Sequence, residues 1–268
     1  MTASSLTPSS PAWRIEPQGD RCLMIYFGDR IDMTIGRLCL AAADLVRRAN
    51  LPGVTDVVPA FVALAVHYQP IGLQGPRYAE LAARIEHLLS QGITPDDTNA
   101  GREIDIPVCY GGDYGPDLED VARHAGISTD DVIALHTQPG NLVFMLGFAP
   151  GLPYIGVHDE RLNIPRRASP RTAVPPGSVA VANRQSVLYP TLLPGGWHII
   201  GATPLALFDP ARTPSTLLQP GDRVRFVPIS PDEFAQRRQG ESSSGLQQTA
   251  SSVDQHEPPS LARDEVKQ

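Results

Sequence analysis

The chain has 268 residues, of which 41% are hydrophobic and 19% charged, and its formal net charge is −7. This composition is typical of a soluble protein with one large or two modest domains, and the acidic balance excludes a concentrated basic face for nucleic acid. Every basic residue except Lys267 is an arginine, although a compositional bias of the genome would produce the same preference. An anionic ligand therefore has to meet arginine or backbone N–H groups, since no lysine is available for a phosphate loop.

The cysteines and the N-terminal segment predict a cytoplasmic protein. Cys22, Cys39 and Cys109 are odd in number and lack metal-type spacing, which is typical of a reducing compartment. The opening "MTASSLTPSSPAW" has neither a basic nor an apolar signal-peptide region, and the apolar run "LCLAAADLV" is too short to span a bilayer. We therefore expect no membrane segment, no disulfide framework and no metal site.

The N-terminal third predicts a small α+β domain. Residues 1–12 are rich in Ser, Thr and Pro and are predicted to be loose, and residues 13–93 then give the order ββαββα. The first helix, in "DMTIGRLCLAAADLVRRAN", is predicted to bury the face of Ile35, Leu38, Ala42 and Leu45. The second lies in "GPRYAELAARIEHLLSQG" and stops at its terminal glycine. One sheet covered by two helices satisfies this pattern.

A polar hinge over 94–103 separates this domain from a second one over 104–231. The second domain begins with a strand and two short helices, for which Asp117 and Ser128 are the predicted N-caps. Short apolar runs such as "LVFMLGF", "SVAVAN" and "RVRFVPI" follow, separated by Pro/Gly turns, which predicts a β-barrel or sandwich. Residues 232–268 are rich in Ser and Gln and poor in apolar residues, and we predict a disordered tail.

No common catalytic motif is present. The chain lacks a phosphate loop, a dinucleotide fingerprint, HExxH, paired CxxC and GxSxG, and its seven histidines, which include His124 and His136 in the short helices, are dispersed. Ser178 and Cys109 qualify as nucleophiles by residue type alone, since neither has an adjacent base in the sequence. The catalytic residues are therefore unknown from the sequence.

Two proline- and glycine-rich segments are candidates for a binding site. The stretch "MLGFAPGLPYIG" predicts a rigid loop carrying two aromatic residues, which is either a packed turn at the barrel mouth or a ligand-facing loop. Its site-shaping residues would be Phe148, Pro150, Gly151 and Tyr154. The later "PGGW" would add Gly195, Gly196 and Trp197.

Clustered arginines form the second candidate feature. Arg166, Arg167 and Arg171 occur in "NIPRRASPRTAVPPGS", which is either a solvated basic loop or a clamp for carboxylate or phosphate. The clamp would use Arg166 and Arg171, completed by neighbouring polar side chains: Gln185, Tyr189 and His198. Periodicity alone does not choose between the two interpretations.

The second domain also contains the long motifs of a known family. The segments "GFAPGLPYIG", "IPRRASPRTAVPPGSVAVA", "QSVLYP", "PGGWHIIGATP" and "LLQPGDRVRFVPI", in this order, closely resemble the family of the 5-oxoprolinase B subunit, also described as KipI-like or allophanate hydrolase subunit 1. The resemblance extends from the N-terminal strands to Ile229. It implies an α+β domain followed by a cyclophilin-like β-barrel, and a protein that does not act autonomously.

The resemblance also implies a reaction and partners. Such a protein pairs with a carboxyltransferase-like C subunit and a LamB/YcsF-type A subunit, and the assembly converts 5-oxo-L-proline to L-glutamate with hydrolysis of ATP. The missing phosphate-loop lysine fits ATP being bound mainly elsewhere or across the interface between the chains. Two alternatives accompany it: a regulatory inhibitor of a histidine kinase, and a carboxyltransferase-type partner acting on urea, allophanate or another small amide.

The sequence departs from the family pattern at two places. It has "ANRQSVLYP" where members commonly read "AGxQTGIYP", and "GATP" where they commonly read "GRTP", so that Ala202 replaces an arginine while Arg184 is gained. These departures imply either compensation or a changed substrate.

Overall fold

The computed structural model describes residues 13–70, 76–93 and 101–240. In the N-terminal part, four antiparallel strands form a sheet of order β1-β2-β4-β3, accompanied by two helices. This confirms the predicted order of elements: β1 (Arg14–Pro17), β2 (Cys22–Tyr26), α1 (Met33–Arg48), β3 (Val54–Pro59), β4 (Ala63–Tyr68) and α2 (Tyr78–Ser90).

Helix α1 packs through a face one residue away from the predicted one. Asp32 caps its N-terminus by accepting a hydrogen bond from the Thr34 N–H at 2.8 Å. Its buried residues are small, namely Gly36, Cys39, Ala42, Ala43 and Val46, whereas the predicted Ile35, Leu38 and Leu45 lie at the margins and are partly buried. A Cβ on Gly36 would lie 2.1 Å from Phe144 Cε1. Close approach to the barrel therefore selects the small residues.

The C-terminal part is a closed seven-stranded barrel of order β10-β7-β6-β13-β5-β12-β9, which confirms the predicted barrel. A separate two-stranded sheet pairs β8 with β11, and a short 3-10 turn covers Glu160–Leu162. The elements are β5 (Glu103–Tyr110), α3 (Leu118–Ala125), α4 (Thr129–His136), β6 (Asn141–Leu146), β7 (Pro153–Gly156), β8 (Arg171–Val174), β9 (Ser178–Ala182), β10 (Gln185–Leu188), β11 (Leu193–Gly195), β12 (His198–Ala202) and β13 (Arg223–Pro228).

Strands β9 and β10 are buried along their whole length, and β12 is buried in its middle. Successive side chains of these strands point to opposite sides, so they belong to two different clusters. One set of side chains, which includes Val179, Val181 and Leu188, belongs to the main core inside the barrel. The other set forms what we call the outer cluster: Leu152, Val174, Ala180, Ala182, Val187, Tyr189, Trp197 and Ile199. The outer cluster lies between the barrel wall and the β8–β11 sheet.

The end of the described chain differs from the prediction. Residues 231–240 are helical, and Phe234 is buried with its ring centroid 4.5 Å from that of Tyr114. The predicted disorder from residue 232 is therefore wrong for 232–240, where Phe234 is buried, the Ser230 hydroxyl accepts from the Glu233 N–H and Arg237 pairs with Glu233. The predicted N-terminal segment 1–12, residues 94–100 of the hinge and the tail from 241 lie outside the described residues. No helix among the described residues is long and apolar enough to cross a membrane.

Candidate functional site

The outer cluster brings together several of the predicted site residues. Tyr189 lies directly after β10, and the rings of Tyr154 and Trp197 meet edge to face with centroids 6.0 Å apart. The guanidinium of Arg166 lies over the Trp197 ring, 5.7 Å from its centroid. An exposed cation above a largely buried aromatic cluster is therefore the main feature of this region.

Tyr189 is held in this cluster by a glycine. A Cβ added to Gly195 would lie 2.2 Å from the Tyr189 hydroxyl oxygen, so only glycine leaves room for this ring. Burial raises the pKa of Tyr189 and Tyr154 adds to the rise, while the positive charges of Arg166 and Arg171 oppose it. The hydroxyl therefore remains protonated at neutral pH, and it lies in the field of both arginines.

Arg171 does not form the predicted open clamp. Its Nη1 and Nη2 donate to the two carboxylate oxygens of Asp117 at 2.7 and 2.8 Å, and Arg167 Nη1 donates to the same carboxylate at 2.9 Å. The backbone N–H of Ile199 supplies a further hydrogen bond at 2.7 Å. Burial alone would raise the pKa of Asp117, but the bonds from Arg171 and Ile199 and the charges of Arg171 and Arg167 outweigh it and lower that pKa.

The structure thereby gives Asp117 a role that the sequence did not reveal. Asp117 occupies the predicted N-cap position of α3, yet its side chain makes no capping hydrogen bond. Its backbone N–H donates to the Ile199 carbonyl at 2.9 Å, which turns the carboxylate towards the arginines. An aspartate before a helix has the same sequence pattern in either role, so only the tertiary contact distinguishes them. Ser128, by contrast, caps α4 as predicted.

Arg166 is exposed, and its backbone is fixed on both sides. Before it, the Pro165 carbonyl accepts a hydrogen bond from His198 Nε2 at 3.0 Å; after it, the Arg167 N–H donates to the Gly196 carbonyl at 2.7 Å. His198 therefore serves to hold the loop that presents Arg166. Its Nδ1 is buried with no partner among the described residues.

Gln185 lies on the outer face of β10, two residues before Val187 of the outer cluster. It is 6% exposed, so only a small part of its side chain is accessible. Its role as a polar contact for the ligand stays a prediction.

The predicted site-shaping loop presents an exposed aromatic residue. Phe148 is 66% exposed and has a φ of +69°, a left-handed conformation that is uncommon for a bulky side chain. Pro150 is exposed beside it, while Gly151, with a φ of +79°, packs so tightly that a Cβ would lie 2.8 Å from Phe208 Cβ. The loop is therefore a packed turn at its base and an exposed surface at its tip.

The two nucleophile candidates are not suited to that role. Ser178 and Cys109 are 4% and 2% exposed, and burial raises the pKa of the Cys109 thiol, which disfavours the reactive thiolate. Within the described part of the chain, no cluster of three His, Cys, Asp or Glu side chains is placed to hold a metal ion.

The contacts of Arg167 and Arg171 show whether these two side chains could bind a phosphate group of ATP. A phosphate bound by Arg167 and Arg171 would have to displace Asp117, a buried carboxylate with three donors, and would itself repel that carboxylate. These residues do not fit a phosphate site. Arg184 does not replace the cation missing at Ala202 either, because it pairs with Glu160 at 2.7 Å and donates to the His158 carbonyl.

Comparison with known proteins decides the family. The model of the carboxyltransferase domain, subdomain C and D, matches residues 13–218. The chain is 41% identical to the B subunit of 5-oxoprolinase from Bacillus subtilis over 230 residues, which are 83% of this chain and 95% of that protein. It is 44% identical to its Escherichia coli O157:H7 counterpart over 187 residues, which are 68% of this chain and 81% of that protein. The chain belongs to the 5-oxoprolinase B-subunit family.

A solved structure agrees with this assignment. The fold of TTHA0988 matches 78% of this chain with a TM-score of 0.67 and 36% identity. The chain spans only 40% of the length of TTHA0988, so in that protein the B-subunit module forms part of a longer chain. In at least one relative, therefore, the region that matches this chain is followed or preceded by additional sequence in the same polypeptide.

Proposed function

We propose that this chain is the B subunit of an ATP-dependent 5-oxoprolinase, which opens 5-oxo-L-proline to L-glutamate together with a carboxyltransferase-like C subunit and a LamB/YcsF-type A subunit. The observation that carries the proposal is the 41% identity to the B subunit of a 5-oxoprolinase over 95% of that protein. The names of the relatives support a role as a 5-oxoprolinase subunit. The use of ATP and the two partners are part of the proposal.

The chemistry of the outer cluster supports a small cyclic amide with a carboxylate. Arg166 is an exposed cation that can pair with the carboxylate, and it lies over the ring of Trp197, which is itself only 6% exposed. The Gln185 amide can both donate to and accept from a lactam. Tyr189 stays protonated and is 3% exposed, within the electrostatic field of Arg166 and Arg171.

The proposal places ATP outside this arginine cluster, because Asp117 already occupies Arg167 and Arg171. Phosphorylation of the lactam oxygen would make the ring carbon electrophilic, and that step then belongs to the complex and not to this chain alone. No atom of this chain is assigned to the phosphate.

Partner binding has a candidate surface at the rim of the outer cluster. Phe148 and Leu192 are 66% and 64% exposed, and their chain neighbours Ala149 and Leu193 pack against that cluster. Exposed apolar side chains beside a site are typical of surfaces that meet another protein. In TTHA0988 the region that matches this chain is part of a longer polypeptide, which is consistent with such a contact.

The test is a reconstitution of the complex. This chain is co-purified with its two partners, and 5-oxoproline-dependent ATP hydrolysis and glutamate release are measured with each of the three chains omitted in turn. We expect turnover that requires all three chains. A stable complex that ignores 5-oxoproline but turns over urea or another small amide would contradict the substrate, and failure to form any complex would contradict the role in an assembly.

A further inference from the structure

The barrel interior contains a chain of four hydrogen-bonded side chains that the proposed site does not use. Tyr110 Oη lies 2.8 Å from His136 Nδ1, and His136 Nε2 lies 2.8 Å from Ser186 Oγ. His158 Nε2 lies 2.7 Å from the same Ser186 oxygen. Ser186 and His136 are both 0% exposed, and His158 is 4% exposed. All three bonds have ordinary lengths for neutral groups.

This hydrogen-bonded chain crosses the barrel. Tyr110 is on β5 and Ser186 on β10, and these strands are separated by β9 and β12 in one direction and by β7, β6 and β13 in the other. His136 ends helix α4 and stacks on Phe226 of β13, with ring centroids 4.1 Å apart. The helix is therefore tied to two opposite walls of the barrel by polar contacts inside an apolar core.

The chemical types of the donors and acceptors favour one direction of the protons along this chain. A neutral histidine donates from one ring nitrogen and accepts at the other, and Ser186 has a single proton between two Nε2 atoms. If Tyr110 donates, each proton from Tyr110 to Ser186 finds an acceptor, and the final acceptor is His158 Nε2. The reverse order leaves the Tyr110 proton without an acceptor among the described residues, and the first order does the same to the Nδ1 proton of His158. The phenol O–H of Tyr110 is more acidic than a neutral imidazole N–H and is therefore the better donor to His136 Nδ1, which favours the first order.

Ser186 connects the four side chains to the outer cluster through the strand itself. Its neighbour Gln185 points to the opposite face of β10, and Tyr189 follows on the face of Gln185 four residues later. A one-residue slip of β10 would exchange the two faces, which would take Ser186 out of the barrel and Gln185 into it. Two histidines on one hydroxyl oppose that slip.

We propose that the Tyr110–His136–Ser186–His158 chain is a positioning device, with its protons running from Tyr110 to His158, that fixes strand β10 and thereby Gln185 and Tyr189 for the ligand. The inference rests on the proposed function for its ligand but not for its proton order. Ser186, His136, His158 and Tyr110 are positioning residues, since none of them reaches the outer face.

Proton order is tested on the full-length protein labelled with 15N histidine. Long-range 1H–15N correlation spectra separate the two neutral tautomers. We expect the Nε2–H tautomer for His136 and the Nδ1–H tautomer for His158. The Tyr110→Phe variant, which retains the ring, should convert His136 to a mixture of tautomers. The opposite tautomers in the wild type, or an unchanged spectrum in Tyr110→Phe, would overturn the proton order.

Positioning is tested in the assembled complex with two variants of matched shape. Ser186→Thr keeps the hydroxyl, whereas Ser186→Val has nearly the same shape as the threonine without it. We expect Ser186→Val to raise the KM for 5-oxoproline about tenfold, and Ser186→Thr to stay within about twofold of wild type. A purely structural role would lower the amount of active complex and hence the apparent kcat, with KM unchanged, and that result would overturn positioning.

The Tyr110→Phe variant extends this test if Ser186→Val fails to fold, since it should raise KM in the same direction by a smaller factor. If the wild-type complex does not turn over 5-oxoproline, the proposed function is contradicted. The tautomer measurement does not depend on turnover and would still decide the proton order.

Discussion

Arg171 donates both of its Nη atoms to the carboxylate of Asp117, at 2.7 and 2.8 Å, and this pair holds β8 against the start of helix α3. The side chain of Asp117 is 4% exposed and that of Arg171 is 25% exposed. Because the pair is largely buried, its two members stabilise each other, and neither is available to a ligand unless the other is left alone.

Asp117→Asn is expected to lower the free energy of unfolding by about 3 kcal/mol, because it leaves Arg167 and Arg171 without their buried counter-charge. Denaturant titration measures the change. The control is Asp105→Asn, which breaks a bidentate pair of similar geometry with Arg225 on the exposed surface and should have a much smaller effect. Equal losses in the two variants would contradict the importance of burial. Arg171→Ala should be destabilising for the same reason, so it cannot isolate ligand binding.

The Arg166→Ala variant tests ligand binding separately from stability. We expect at least a roughly tenfold loss of 5-oxoproline turnover by the reconstituted complex, because the exposed guanidinium is the cation available to a carboxylate. Unfolding should be unchanged. Arg161→Ala, in the nearby 3-10 turn and paired with Asp159, serves as the control and should keep full activity. Retention of activity by Arg166→Ala would exclude Arg166 from the substrate site.

The adjacent glycines of "PGGW" provide a matched pair. Gly195→Ala places a methyl group 2.2 Å from the Tyr189 hydroxyl, and Tyr189 is only 3% exposed and cannot swing away freely. We expect a loss of stability of about 2 kcal/mol and a fall in activity. Gly196→Ala meets its nearest atom, Pro170 Cγ, at 3.6 Å and should be tolerated. Thermal unfolding and turnover of both variants check this, and equal tolerance would show that Tyr189 can move.

The buried histidines predict a loss of stability in mild acid. Burial, with a contribution from the charge of Arg184, lowers the pKa of His158 to about 4, and burial lowers the pKa of His136 well below its ordinary value. Between pH 6.5 and about 4 the unfolded chain therefore binds more protons than the folded one, and the folded state is destabilised as the pH falls. His158 alone should contribute about 3 kcal/mol, fully present above about pH 6.5.

This contribution is measured as the free energy of unfolding against pH for wild type and His158→Gln. Carboxylates titrate in both proteins, so the difference between the two curves reports the histidine. We expect the curve of His158→Gln to be flatter between about pH 6.5 and 4. Parallel curves would mean that His158 is protonated in the folded state.

Phe148 offers a test that separates stability from partner binding. Its φ of +69° favours glycine, so Phe148→Gly should raise the free energy of unfolding by about 1 kcal/mol. The same variant should weaken capture of the partner chains, because it removes the largest exposed apolar side chain at the rim. Ile31→Gly, at an exposed residue of the N-terminal domain, is the control for capture. A variant that is more stable and still binds its partners would remove Phe148 from the interface.

Several features of the fold could be predicted from short stretches of sequence. The stretch "GPRYAELAARIEHLLSQG" was sufficient to predict helix α2, and the Pro/Gly turns between short apolar runs were sufficient to predict a barrel. The buried face of α1 was not, because contact with Phe144 favours small residues such as Gly36 over larger apolar ones. Sequence periodicity identifies the buried face of a helix from the hydrophobicity of its residues. Close approach of the helix to a neighbouring element instead selects residues with small side chains.

The candidate site divides in the same way. The sequence alone determined the family, the motif residues Arg166, Gln185, Tyr189 and Trp197, and the absence of a folded-domain lysine, since these depend on residue identity and order. Only the tertiary structure decided that Asp117 neutralises Arg171 and that His136, Ser186 and His158 meet inside the barrel. Those contacts join residues 28 to 54 positions apart, and the direction of a side chain across a closed barrel depends on strand register, which local sequence does not encode.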